Sequence, residues 1–312
     1  MCDGDAALLE LGISLRAVGY HFITVSPETH RRVITRCAPA EASSLRDVFG
    51  WSRWFRKSLL PVPMLSLLDE AGALEHNGTL LRSKVRYSSL DDALYVHSAY
   101  PTVAAEAVFF GPDSYRFAAL IRRVISAAVR TPIRCAVDIG CGTGVGGIVL
   151  AKVLHDQPRR LVLADINTQA LRYAHINAAL AKIKRYECVE SDVLQAVDGP
   201  VDLIMANPPY LLDAGSRLYR HGGGQWGYDL SLRIVRESLP RLAPGGKLIL
   251  YTGAAIVDGK DVFRQAIQPE LAAAGMRYDY AEIDPDVFGD ELEYPGYSAV
   301  ERIAAVSLIV EA

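Results

Sequence analysis

Residues 137–144 read Val137-Asp138-Ile139-Gly140-Cys141-Gly142-Thr143-Gly144. The apolar run before them predicts a buried strand, and the glycines sit where that strand turns into a helix. Glycine there lets the backbone take left-handed angles and approach a ligand closely. Asp165 ends the next apolar run, 21 residues after Gly144. A carboxylate at that place accepts hydrogen bonds from both hydroxyls of a ribose. A nicotinamide-type Gly-x-Gly-x-x-Gly pattern fits poorly. Placed on Gly142, Gly144 and Gly147 it starts too far beyond the strand, and counted from Gly140 it meets Val145. A plain tight turn of an α/β protein is the remaining alternative.

Outward from this turn, strands and helices alternate, the signature of a parallel α/β sheet. Helices are expected over 114–130, from the glycine turn to 155, and over 168–182, 228–242 and 259–274. Strands are expected over 133–139, 160–165, 185–190, 201–206 and 247–252, with a closing antiparallel pair at 277–284 and 302–310. Asn207-Pro208-Pro209-Tyr210 follows the fourth strand directly. Ligands in open α/β sheets bind at the carboxyl ends of strands. Prolines stiffen this loop and leave its carbonyls free to accept, and Asn207 adds an acceptor and two donors. Such a site suits a planar –NH2 group, and Tyr210 offers a flat face beside it.

These motifs together resemble the class I S-adenosylmethionine (SAM)-dependent methyltransferases. Within them the chain is similar to the branch marked by Asn-Pro-Pro-Tyr, including release-factor glutamine N5-methyltransferases and the small-domain methyltransferases. The resemblance covers residues 109–312, about two-thirds of the chain. It implies a Rossmann-like α/β fold, with a seven-stranded sheet in the order 3-2-1-4-5-7-6 and the last strand antiparallel. It implies SAM as cofactor and S-adenosylhomocysteine as product. Asp138, Gly140, Cys141, Gly142, Thr143 and Gly144 match the first cofactor motif. Asp165 matches the ribose-binding acid, and Ile166 would pack on the adenine. Asp192, followed by Val193, matches the residue that meets the adenine amino group. Asn207, Pro208, Pro209 and Tyr210 match the catalytic tetrapeptide, with Asn207 also beside the cofactor. Phe110-Gly111-Pro112-Asp113-Ser114 lies where related enzymes place a loop over the methionine end. The glycine-rich stretch Arg220–Leu230 resembles the segment after the tetrapeptide in release-factor enzymes, with Gln225-Trp226 in place of the usual acidic residue. The N-terminal part does not resemble that family's helical bundle, and the acidic loop 284–297 is longer than the family's.

The chain has 312 residues, 50% hydrophobic and 22% charged, enough apolar material for a core. No apolar run reaches the roughly 18 residues a membrane span needs. The opening MCDGDAALLELG lacks a basic and apolar leader, so the cytoplasm is the expected location. Five cysteines, Cys2, Cys37, Cys135, Cys141 and Cys188, show neither disulfide nor zinc spacing and are read as reduced thiols. No metal is expected. A net charge of −3 argues against a dedicated nucleic-acid binder. The charge is uneven, however: residues 111–250 carry 18 Lys and Arg against 12 Asp and Glu, and residues 251–312 carry 4 against 12.

A break near 98–112 divides the chain into a smaller, mainly helical substrate-recognition or lid domain, 1–108, and a methyltransferase domain, 109–312. Residues 62–97 read as a helix followed by a hairpin turning at Asn77-Gly78, a small winged-helix-like module. Gly50–Lys57 reads as the packed and exposed faces of one helix, with an aromatic-basic nucleic-acid contact as the alternative. The acidic cluster at 290–293 reads as a solvated loop, with attraction of a cationic substrate as the alternative. His221 is read as structural or exposed, not as a base, and Cys141 as a packing residue. The acceptor stays open at this point. A protein glutamine side chain leads, a small molecule or the adenine N6 or guanine N2 of a nucleic acid are the alternatives, and no membrane partner is expected. A non-catalytic SAM-binding module is disfavoured by the intact Asp138, Asp165 and Asn207.

Overall fold

A computed structural model describes residues 3–36, 41–128, 132–154, 158–213 and 217–312. Cys2, Cys37 and the expected helix ends near 130 and 155 lie outside these. The chain opens with α1 (Asp3–Ala17), α2 (Pro27–Arg36), α3 (Leu45–Phe49), a short β1 (Phe55–Arg56) and α4 (Val62–Glu70). The hairpin β2 (Leu74–Asn77) and β3 (Leu80–Ser83) follows, and Gly78 takes φ +58° at its two-residue turn. That left-handed angle is what such turns require. β1 adds to the hairpin edge in the order β1-β3-β2. A second hairpin, β4 (Val85–Leu90) and β5 (Ala93–Ser98), is buried along nearly all its length.

Gly50–Lys57 does not form the expected helix. α3 ends at Phe49, Ser52 takes φ +54°, β1 pairs with β3, and Lys57–Leu59 form a single 3-10 turn. The aromatic residues here pack rather than face outward together. Trp51 meets Phe22 edge-on at 5.1 Å, and the Arg82 guanidinium lies 4.6 Å over the Trp54 ring.

The second part alternates as expected: α5 (Pro112–Ala128), β6 (Cys135–Ile139), α6 (Val145–Val153), β7 (Arg160–Asp165), α7 (Thr168–Leu180), β8 (Glu187–Glu190), β9 (Val201–Ala206) and α8 (Asp229–Ser238). Then come β10 (Leu242–Val257), β11 (Lys260–Asp261), α9 (Val262–Ala274), β12 (Arg277–Asp284) and β13 (Arg302–Glu311). The sheet order is β12-β13-β10-β9-β6-β7-β8. Counting from β6 and leaving out the short β11, this is 3-2-1-4-5-7-6. β13 runs antiparallel to both β10 and β12, and the other pairs are parallel. β10 is longer than expected, because β13 pairs with it from Lys247 to Ile256 and β11 folds back on its end.

The local chemistry explains the element ends. Asn167 caps α7 by accepting from the Gln169 N–H, and Asp261 caps α9 by accepting from the Arg264 N–H at 2.8 Å. β6, β7 and β9 are buried on both faces and read as near-continuous apolar runs, as central parallel strands must. The N-terminal part packs on α7: Leu8, Leu11 and Leu15 of α1 share one cluster with Tyr173, Ile176 and Leu180. Gly12 permits this contact, since a Cβ there would lie 2.8 Å from a Leu180 methyl.

Candidate active site

A cavity of about 320 Å³ opens at the carboxyl ends of β6, β7 and β9. Its floor is the turn after β6. Gly140, Gly142 and Gly144 all take left-handed angles, φ +61°, +53° and +75°. A Cβ built on Gly140 or Gly142 meets no described atom within 4 Å, so both glycines leave open space for a ligand. The turn closes through Cys141 N–H to the Ala164 carbonyl at 3.0 Å and Gly144 N–H to the Cys141 carbonyl at 2.7 Å. Cys141 and Thr143 are buried, and burial pushes the Cys141 thiol far up, which fits packing.

Asp165 ends β7 with one oxygen accepting from Gly142 N–H and the other from Asn167 N–H, both at 2.9 Å. It borders the cavity, and burial raises its carboxyl. Ile166 beside it is 55% exposed and faces the cavity. Asp138 sits beneath the turn, almost wholly buried, and accepts from Gly147 N–H at 2.9 Å. Burial pushes it up to about 7. Gly146 and Gly147 have their own reason: a Cβ would lie 2.7 Å from Asp138 Oδ2 and 2.3 Å from Leu163 respectively. Asp192 and Val193 also border the cavity, Val193 with φ +52°. The Asp192 carboxylate stays partly exposed, and Arg233 grips both of its oxygens at 2.9 Å.

Asn207 is half-buried on the cavity wall and makes no side-chain hydrogen bond to the described residues. Pro208 and Tyr210 are buried and Pro209 partly so. Tyr210 is tied down: its hydroxyl donates to Asp113 at 2.7 Å, and its ring lies against Gly253. The glycine-rich stretch explains itself beside this loop. A Cβ on Gly222 would lie 1.8 Å from the Gly227 carbonyl oxygen, and one on Gly227 would lie 2.2 Å from that of Tyr210. Leu211 forms a parallel bridge to His221, its N–H donating to Arg220 O at 3.1 Å and its carbonyl accepting from Gly222 N–H at 2.9 Å. The stretch therefore braces the tetrapeptide from behind. His221 is part of the brace, its Nδ1 accepting from Asp213 N–H at 3.2 Å.

The acidic loop is exposed at Asp290 and Glu293, as a solvated loop would be, but it is also anchored. Glu291 pairs with Arg220, Tyr297 is buried with its hydroxyl accepting from Leu212 N–H at 2.8 Å, and Phe288 borders the cavity. Asp213 pairs with both Arg217 and Arg220 and is held down to about 2, chiefly by its hydrogen bond with Arg217. The N-terminal part supplies the far wall, with Pro27, Tyr100, Pro101 and Val103. Arg217 and the Tyr219 hydroxyl both donate to the Thr102 carbonyl, at 3.3 and 2.9 Å. One residue that sequence reading missed ties the two parts together. Buried Asn177 of α7 accepts from Val96 N–H at 2.7 Å and donates to the carbonyls of Val96 and Thr143 at 3.0 Å. A polar residue among the apolar positions of a helix was its one signal. Among the described residues no cluster of His, Cys, Asp or Glu is placed to hold a metal, and no helix is long and apolar enough to cross a membrane.

Residues 119–267 match the family model of the methyltransferase small domain. The match covers just under half of the chain, and together with the fold and the glycine turn it makes this region similar to the class I SAM-dependent methyltransferases. Among curated relatives, the release factor glutamine methyltransferase of Deinococcus radiodurans is 33% identical over 165 residues, covering 49% of this chain and 54% of that protein. The ribosomal RNA small subunit methyltransferase C of Serratia proteamaculans is 32% identical over 117 residues, covering 38% of this chain and 30% of that protein. The chain spans about half the length of the curated relatives it matches. The crystal structure of wild-type Trm5b from Pyrococcus abyssi superposes with a TM-score of 0.50 at 14% identity, covering 93% of this chain and 78% of that one. At that identity the likeness concerns the fold alone.

Proposed function

We propose that this chain transfers a methyl group from SAM to a planar amide or amine nitrogen, with a protein glutamine side chain as the leading acceptor. The observation that carries the reading is the shared cavity: the glycine turn and Asn207 line the same 320 Å³ space, at the carboxyl ends of adjacent strands. The open space over Gly140 and Gly142, the carboxylate of Asp165 and the exposed Ile166 suit a nucleoside with its ribose and flat base. SAM would supply an electrophilic methyl on a sulfonium, whose C–S bond breaks as the N–C bond forms, with S-adenosylhomocysteine as the leaving thioether. Asp165 would hold the ribose, and Asp138 supports the turn from below. Asn207 Oδ1 and the Pro208 carbonyl accept the two N–H bonds of the acceptor. An amide or aromatic amine is a weak nucleophile because its lone pair is delocalised. Two acceptors aimed at its hydrogens stabilise the positive charge that builds on nitrogen during transfer. The proton leaves after transfer, so no strong base is needed.

Residues 1–108 are proposed to recognise the acceptor or act as a lid, supported by Pro27 and Tyr100–Val103 on the cavity wall. The release-factor relatives and the braced glycine-rich stretch support glutamine. A ring amine of RNA is the second reading, favoured by the 32% identity to the ribosomal RNA enzyme. The test is transfer of labelled methyl from SAM in a cell lysate, fractionated into protein, nucleic acid and small molecules. Label in one protein band, absent with Asn207→Ala, is the expected result. Label in RNA selects the second reading, and label only among small molecules rejects both.

A further inference from the structure

We propose that Asp113 is the positioning residue that fixes Tyr210, and through it the acceptor face of the Asn207–Tyr210 loop; this rests on the methyl-transfer reading above. Asp113 lies in the first turn of α5, 97 residues before Tyr210, and is buried. Each of its oxygens takes a tyrosine. Tyr210 donates to Oδ2 at 2.7 Å and Tyr251, from β10, donates to Oδ1 at 2.7 Å. Arg116, one turn later, reaches Oδ1 at 3.3 Å and passes on to Asp284 at 2.8 Å. Three elements thus converge on one carboxylate, two of them ending at the cavity.

Burying a carboxylate is costly, and short bonds from hydroxyls and a guanidinium only offset that cost. An apolar residue of similar size would pack as well or better, so the polar centre has a use other than stability. The surroundings of Tyr210 indicate that use. A Cβ on Gly253 would lie 2.1 Å from Tyr210 Cδ2, so the ring lies close against the backbone of β10. Tyr251 and Phe288 meet its edges with centroids 6.5 and 6.1 Å away. Packing fixes the ring plane, and Asp113 fixes the hydroxyl and so how far the ring reaches along the cavity. Tyr210 follows Pro209 directly, so a shift of its ring moves the carbonyls and the Asn207 side chain that meet the acceptor. Errors of about 1 Å in such a geometry cost on the order of 100-fold in rate.

The test is a double-mutant cycle of Asp113→Ala and Tyr210→Phe, read as kcat and as SAM affinity. Each single change is expected to lower kcat about tenfold or more. The double variant is expected to be no slower than the worse single one, because both remove one unit. Each variant is expected still to bind SAM, which a general loss of structure would not permit. Normal kcat in Asp113→Ala, or effects that multiply in the double variant, overturns the proposal. A second arm needs no activity. The chain is labelled at tyrosine 13Cζ, and the Tyr210 and Tyr251 signals are assigned from their Phe variants. Both signals are expected to move in Asp113→Asn, which keeps the size of the side chain. A Tyr210 signal that stays in place overturns the proposal. Should the wild-type chain bind SAM and transfer nothing, the functional reading fails, and this second arm alone decides whether Asp113 holds Tyr210.

Discussion

The two walls of the cavity are built in opposite ways. The turn wall comes mainly from one run: β6, the glycine turn, α6 and β7 with Asp165 follow one another within 135–165, and Asp192 and Val193 join from just past β8. The facing wall is assembled from segments far apart in the chain: Pro27, 100–109, 207–211, 217–220 and Phe288. A ligand common to a large class can be held by a local motif that the fold repeats. An acceptor particular to one chain must be met by loops, and loops meet through contacts that sequence order does not reveal.

Five predictions bear on this contrast. The largest concerns Asn207→Ala, which removes the acceptor proposed to face the reacting nitrogen. Transfer is expected to fall about 100- to 1,000-fold, as when one preorganised polar contact to a transition state is lost; methyl-transfer kinetics measure it. Gly222→Ala comes next. Its Cβ would overlap the Gly227 carbonyl at 1.8 Å, so the brace behind the tetrapeptide must open. A destabilisation of about 1–3 kcal/mol follows from such overpacking, and a lowered Tm together with lost transfer records it. Asp165→Ala is expected to weaken SAM about tenfold, because a site built to accept hydroxyls loses its acceptor; calorimetry reads this directly.

The fourth prediction concerns pH. Burial pushes Asp138 up to about 7, above the roughly 3.9 of an unfolded aspartate. The folded chain therefore binds this proton more tightly than the unfolded one. The stability this gives is complete below about pH 4 and is lost as pH rises through about 7. Thermal melts of Asp138→Asn are expected to fall less over that window than those of wild type, and equal slopes would refute the assignment. The smallest effect is at the acidic loop. Glu291→Gln loosens a partly buried pair with Arg220, and a change of about 1 kcal/mol or less in denaturant melts is expected, with SAM affinity unchanged.

What was legible in the sequence follows the same division. The seven-strand order, the hairpin at Asn77-Gly78 and the glycine turn depend on local pattern, and the structure has them. The glycines at 222–227 were visible as a run, but their reason was not: Gly222 and Gly227 are pressed by the backbone at 209–211 and Gly222 also by the Gly227 carbonyl, while Gly224 meets the Asp229 side chain. Gly50–Lys57 misled because aromatic and basic residues at short spacing suit a helix face as readily as a turn and an edge strand. The anchoring of the acidic loop was hidden because the partner of Glu291, Arg220, lies some seventy residues earlier. Asp113 was quoted only as part of a loop, since both of its tyrosines arrive from distant strands.

The most direct test of the two-wall account is the rate of methyl transfer at saturating SAM in Asp165→Ala and Asn207→Ala. The account predicts that saturating cofactor returns Asp165→Ala close to the wild-type rate and leaves Asn207→Ala slow. Recovery of both, or of neither, would contradict the separation of a cofactor wall from an acceptor wall.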